Sequence, residues 1–202
     1  MTRVKICGVT VVADAEHAAR CGAWAVGVNF WPRSRRHVSL QTARLIAAGV
    51  GGEIPIVGVF VDASRDEIDR LVEAVPLDMV QLHGDESPAD CEGWSVPVIK
   101  ALRLRDQTTW RSATAYPADY LLADAFVEGE PGGTGHRLAI EWIGAGLRDR
   151  LILAGGLDPD NVSAMIRAVS PFAVDVASGV ESAPGRKDPE KVKRFIEHAH
   201  HA

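Results

Sequence analysis

The chain has 202 residues, 47% hydrophobic and 24% charged, enough apolar material for a substantial core without covalent staples. Its net charge of -5, with Lys and Arg spread along the chain, argues against nucleic acid or an anionic membrane as the main partner. Three cysteines at no zinc-like spacing, no apolar run of membrane-spanning length and no signal-peptide pattern behind Arg3 and Lys5 predict reduced thiols in a cytoplasm.

Short β-branched runs alternate with longer amphipathic stretches. VKIC precedes TVVADAEHAARCG, whose apolar residues recur at helical spacing and whose Gly22 suits a C-cap. AVGVNF precedes SLQTARLIAAG, with Ser39 as the N-cap. IVGVFVD precedes SRDEIDRLVEAV, MVQLHG precedes SPADCEGW, and PVIKALRL precedes a weaker helical stretch near Thr108 to Thr114. YLLADAF leads through a Gly-rich loop to HRLAIEWIGAG. LILAGG leads to DPDNVSAMIRAV, opened by Asp158 or Pro159, and FAVDVASG leads to DPEKVKRFIEHA. Eight such units with no linker between them predict a single α/β domain over residues 1–202, a closed (β/α)8 TIM barrel with few insertions. An open flavodoxin-like or Rossmann sheet is the alternative, weakened because no G-x-G-x-x-G follows the first strand.

In a barrel, function belongs at the C-terminal ends of the strands. Gly155 and Gly156 after strand seven, and Ser178 and Gly179 after strand eight, bare their backbone N–H groups where barrels commonly hold a phosphate. The loop GEPGGTGH after strand six, with Gly133 among its glycines, reads as a lid or a second wall of the ligand site. Lys5 and Cys7 share one face of strand one, so Cys7 points into the mouth with Lys5 a layer below. A lysine inside a barrel needs a partner, and Asp175 on the neighbouring strand eight is the natural one. Asp124 ends strand six, across the mouth from Cys7, and a thiol and a carboxyl on opposite sides of a bound sugar make a base–acid pair. His83 at the end of strand four either contacts substrate or is a hydrogen-bonded structural histidine. In the basic cluster RSRRH after strand two, Arg36 is placed to hold a carboxylate bidentately.

With these residues assembled, the sequence resembles the phosphoribosylanthranilate isomerase family of tryptophan biosynthesis. The resemblance rests on KICG at Lys5 to Gly8, VNFWPRSRRHVS at Val28 to Ser39, VQLHGDE at Val80 to Glu86, GGTG at Gly132 to Gly135, LAGGLDPDNV at Leu153 to Val162 and VDVASGVESAPGRKD at Val174 to Asp188. It implies an isomerase that needs no metal or cofactor and acts on a phosphorylated aminosugar. It assigns Cys7 as general base, Asp124 as general acid, Arg36 to the anthranilate carboxylate and the loops of Gly156 and Ser178–Gly179 to the phosphate, to which the strand and loop positions add Gly133 and Gly155 at the phosphate and His83 and Asp175 against substrate. The chain departs from the family's usual LLDA, FDW and SPR, which read LLADA, Ile140-Glu141-Trp142 and Ser34-Arg35-Arg36 here. The rivals are another phosphate-binding barrel enzyme, such as the histidine-pathway aminoaldose isomerase or indole-glycerol-phosphate synthase, and a regulatory barrel that binds phosphate without turnover. The first rival carries an aspartate where this chain has Cys7. The second relies on lysines and glutamates in a longer chain.

Overall fold

Alternation along each strand sorts the apolar residues into two cores, and that division builds the molecule. The computed structural model describes residues 1–103, 113–124 and 145–202. Eight parallel strands pair in chain order and close on themselves: β1 Arg3–Cys7, β2 Ala25–Asn29, β3 Ile56–Phe60, β4 Met79–Leu82, β5 Val98–Arg103, β6 Tyr120–Asp124, β7 Leu151–Ala154 and β8 Ala173–Val176. The closed (β/α)8 expectation is met and the open sheet is excluded.

Residues such as Val4, Ile6, Val26, Val80, Leu121 and Val174 face outward and pack with the helices in the larger core. Ala25, Val57, Met79, Ile99, Leu122, Ile152 and Ala173 point inward and fill the lower barrel. Below them Trp24, Tyr120 and Phe172, all at strand starts, form a floor with ring centroids 4.9–5.8 Å apart, and the Arg3 guanidinium lies 4.4 Å from the Phe172 ring.

Five α-helices are present among the described residues: α1 Val12–Arg20, α2 Leu40–Val50, α3 Arg65–Ala74, α4 Val162–Val169 and α5 Pro189–His200. Ser39 caps α2 as expected, accepting from the N–H of Thr42, a contact worth about 1 kcal/mol. Gly22 lies just past α1 at φ 91°, and its N–H reaches Ala19 O.

Three expectations are corrected. SPADCEGW makes only the 3-10 turn Pro88–Cys91, because Pro88 and the Ser87–Asp90 box start a turn and the extended Glu92 stops it. Helix α4 opens at Val162, not at Asp158 or Pro159: the Asp158 carboxylate takes the N–H groups of Asp160 and Asn161 and folds them into a turn before the helix. Between Val180 and α5 the chain forms a hairpin, β9 Glu181–Ala183 with β10 Arg186–Lys187, turned by Pro184-Gly185 and absent from the sequence reading. The helices expected in HRLAIEWIGAG and near Thr108 to Thr114 fall largely outside the described residues. Within the latter stretch, the 3-10 turn Ala113–Ala115 is described.

Candidate active site

The upper barrel is lined by polar groups instead of the apolar residues below. Cys7, Arg36, His83, Asp124, Gly155, Gly156, Asp175, Ser178 and Gly179 border one cavity of about 580 Å³ at the C-terminal ends of the strands. Every predicted site residue except Gly133 is therefore brought to one place. Gly133 and the rest of GGTG lie outside the described residues.

The register of β1 explains its chemistry. Lys5 is level with Asp175 on β8, and Cys7 is level with Gly27 on β2. The Lys5 ammonium, fully buried, donates to Asp175 Oδ1 at 2.7 Å. Gly27 leaves the room they need: a Cβ there would sit 3.0 Å from Cys7 Sγ and 3.2 Å from Lys5 Nζ. Burial opposes the Lys5 charge, but Asp175, helped by Cys7, outweighs it and raises the lysine above its ordinary value. The Cys7 thiol is pushed above 9.0 by burial and by Asp175, with Lys5 and Lys187 pulling the other way. Gly8, at φ 70°, turns the chain out of β1, and a side chain there would collide with the Arg36 stem, which crosses over it.

Period two places Leu122 inward, Ala123 outward and Asp124 inward, which resolves how LLADA sits in β6. Strand β6 lies three places from β1 around the ring, so Cys7 and Asp124 approach the cavity from different walls. His83 Nε2 is 4.0 Å from Asp124 Oδ2. Its Nδ1 lies 2.7 Å from the Gln81 amide Nε2, which orients the ring so that Nε2 faces Asp124. Burial lowers the His83 value, aided by Lys5 and Lys100 against Asp124 and Asp175, so the ring is neutral near pH 7. Lys100, buried, ties Gly84 O at 2.8 Å to Glu86 Oε2 at 2.6 Å and fixes the turn that follows His83.

Arg36 donates Nε at 2.7 Å and Nη2 at 2.6 Å to the two oxygens of Glu181. Arg35, its neighbour, is exposed and does not line the cavity. Lys187 Nζ reaches Cys7 O at 2.6 Å, Ala177 O at 3.0 Å and Glu181 Oε1 at 3.2 Å. The sequence reading passed over Glu181 and Lys187, although VESAPGRKD contains both and its Pro-Gly pair is a hairpin signal. Trp31, Asn29 and Asp62 also line the cavity and were not singled out.

The loops after β7 and β8 press together, since a Cβ on Gly179 would overlap the Leu157 carbonyl. Gly155 and Gly156 have φ of 87° and 63°. Ser178 and Gly179 open a 3-10 turn, so their N–H groups have no partner inside it. This is a nest of backbone donors able to take an anion. Among the described residues no cluster of His, Cys, Asp and Glu has a metal-binding arrangement, and no helix is long and apolar enough to cross a membrane.

A model of the family described as N-(5'-phosphoribosyl)anthranilate (PRA) isomerase matches residues 4–198. The N-(5'-phosphoribosyl)anthranilate isomerase of Pseudomonas fluorescens is 49% identical over 197 residues, covering 96% of this chain and 94% of that one. The protein of the same name from Thiobacillus denitrificans is 48% identical over 199 residues, covering 98% and 97%. The crystal structure of phosphoribosyl anthranilate isomerase from Thermotoga maritima superposes with a TM-score of 0.91 at 40% identity, covering all of both chains. Another solved structure of such an isomerase, in complex with reduced 1-(o-carboxyphenylamino)-1-deoxyribulose 5-phosphate, matches with a TM-score of 0.87 at 38% identity, again over all of both chains.

Proposed function

Since the chain belongs to the phosphoribosylanthranilate isomerase family, its reaction is the Amadori rearrangement of N-(5-phosphoribosyl)anthranilate to 1-(2-carboxyphenylamino)-1-deoxyribulose 5-phosphate, and we propose that Cys7 and Asp124 carry it as base and acid. The observation that supports this reading is the placement of a thiol and a carboxyl on different walls of one cavity that also contains a backbone anion nest and an arginine fork.

The phosphate sits on the N–H groups of Gly156, Ser178 and Gly179, as it does on bared amides generally. Arg36 faces the aryl carboxylate. Of its five N–H donors, two are used by Glu181, and the Nη1/Nη2 end remains for a second carboxylate. These two anchors stretch the sugar across the mouth, between Cys7 and Asp124.

Asp124 protonates the ring oxygen as the nitrogen lone pair expels it, opening the furanose to a Schiff base. Cys7 thiolate then removes the C2 proton, and the electron pair moves to the nitrogen-activated carbon to give an enolamine. Protonation at C1 and loss of the C2 hydroxyl proton give the ketone, so the protons balance. The substrate's own nitrogen is the electron sink, and the scheme uses no metal or cofactor. Burial keeps the proton on the Cys7 sulfur at rest, and the reactive form is the thiolate.

We place this domain, residues 1–202, in the cytoplasm, a reading supported by three free thiols among the described residues. The test is turnover of phosphoribosylanthranilate, followed by its fluorescence, in wild type, Cys7→Ala and Asp124→Asn. Each variant is expected to lose at least about a hundredfold in kcat while still binding the reduced product analogue. A folded Cys7→Ala enzyme with near wild-type kcat refutes the base.

A further inference from the structure

The hairpin that follows the anion nest joins parts of the site that are far apart in sequence. Glu181 begins it and is almost fully buried. Its carboxylate receives Arg36 from the loop after β2 through Nε and Nη2, the Gly185 N–H at 3.2 Å and Lys187 Nζ at 3.2 Å. Lys187 in turn grips the carbonyl of Cys7 at the end of β1 and that of Ala177 just before the nest. Lys191 Nζ holds the Glu181 carbonyl at 3.1 Å. One carboxylate thus ties the arginine to the catalytic thiol's backbone and to the phosphate loop.

We propose that Glu181 is a positioning residue that sets specificity for the aryl carboxylate of the substrate by fixing which edge of Arg36 faces the cavity. The proposal rests on the reading of Arg36 given above.

A guanidinium presents two forked edges to carboxylates, one through Nε and a terminal nitrogen, the other through both terminal nitrogens. Glu181 takes the first, so the second is left for a ligand. A free arginine also has many rotamers to lose on binding, and holding it beforehand removes that cost from the binding step. The same cavity is bordered by the carboxylates of Asp62 and Asp124, which attract an arginine that is not held. Glu181 with Arg36 and Lys187 leaves one net positive charge at this wall, which suits an incoming carboxylate.

A purely structural glutamate would affect all ligands alike, and that separates the two roles. Wild type and Glu181→Gln are titrated with reduced 1-(2-carboxyphenylamino)-1-deoxyribulose 5-phosphate and with its counterpart lacking the ring carboxyl. Glu181→Gln is expected to weaken the carboxylated ligand about tenfold or more and the other less than about twofold, with KM for phosphoribosylanthranilate rising more than kcat falls. Equal weakening of both ligands, or of neither, overturns the proposal. Failure of wild type to bind either ligand overturns the substrate reading instead. If circular dichroism shows that Glu181→Gln is unfolded, Glu181→Asp keeps the charge for Lys187 while drawing back from Arg36. It must show the same carboxyl-dependent loss, and an equal loss on both ligands overturns the proposal.

Discussion

Replacing Lys5 by Met tests the charge arrangement beneath the thiol. Methionine nearly matches the lysine in length, so the variant removes charge without opening a large void. The lost partner leaves Asp175, only 8% exposed, without its 2.7 Å ion pair. Breaking a buried pair costs about 3–5 kcal/mol, and the opening of Asp175 to the cavity argues for the lower end, about 3 kcal/mol. For a chain of this size that lowers Tm by about 6–12 °C. The thiol responds separately. Lys5 Nζ and Cys7 Sγ lie 3.2 and 3.0 Å from one common point above Gly27, hence no more than about 6 Å apart. At an effective dielectric of about 20 the ammonium stabilises a thiolate at that distance or closer by about 2.8 kcal/mol or more. The Cys7 thiol, already pushed above its ordinary value by burial, is expected to titrate higher still. Iodoacetamide alkylation against pH reads it directly in a Cys21→Ala, Cys91→Ala background, and thermal denaturation reads the pair. Lys5→Met with Asp175→Asn is expected to recover most of the lost stability and, because the Asp175 charge also pushes the thiol up, to bring the alkylation profile back toward that of wild type. An alkylation profile that does not move refutes the electrostatic link, and a Lys5→Met protein as stable as wild type refutes the buried pair.

Gly156→Asp places a like charge in the anion nest at φ 63°, with open space for the side chain and about 1 kcal/mol of backbone strain; KM for the phosphorylated substrate is expected to rise about tenfold or more in steady-state assays. Arg36→Lys keeps the charge but loses the fork that Glu181 and the ligand share, and KM is expected to rise about tenfold, whereas Arg35→Lys on the exposed neighbour is expected to be silent. Glu181 feels burial, but Arg36 and Lys187 outweigh it and hold it below its ordinary 4.5. Its contribution to stability is therefore complete above pH 4.5 and lost as pH falls through the lowered value, and Glu181→Gln should flatten the acid limb of a stability–pH curve.

Period and punctuation made the barrel legible, because eight alternations of β-branched runs with helical stretches leave few other ways to bury both faces of a sheet. The same period of two aimed Cys7, Lys5 and Asp175 correctly, and the register then supplied the partner the buried lysine required. The fourth helix failed because SPADCEGW has the caps of a helix start but too few residues to continue one. The Asp158 turn was missed because an aspartate before a helix reads as a cap, whereas here its carboxylate closes the turn ahead of the helix. Glu181 was invisible as the partner of Arg36 because it meets it across 145 positions, and only the hairpin's return brings Lys187 onto the same carboxylate. The tie between Lys100 and Glu86 escaped for a similar reason: strand alternation shows that Lys100 is on β5, not that it caps the turn after β4.

The aromatic floor makes the barrel a vessel with one door. Trp24, Tyr120 and Phe172 stop the lower end with rings in contact, and among the described residues the cavity is bordered by the strand ends above. Substrate and product must use the same passage in turn. A bound product therefore shuts out the next substrate completely, and inhibition by product in this enzyme is competitive by construction, whatever the rates of its chemical steps.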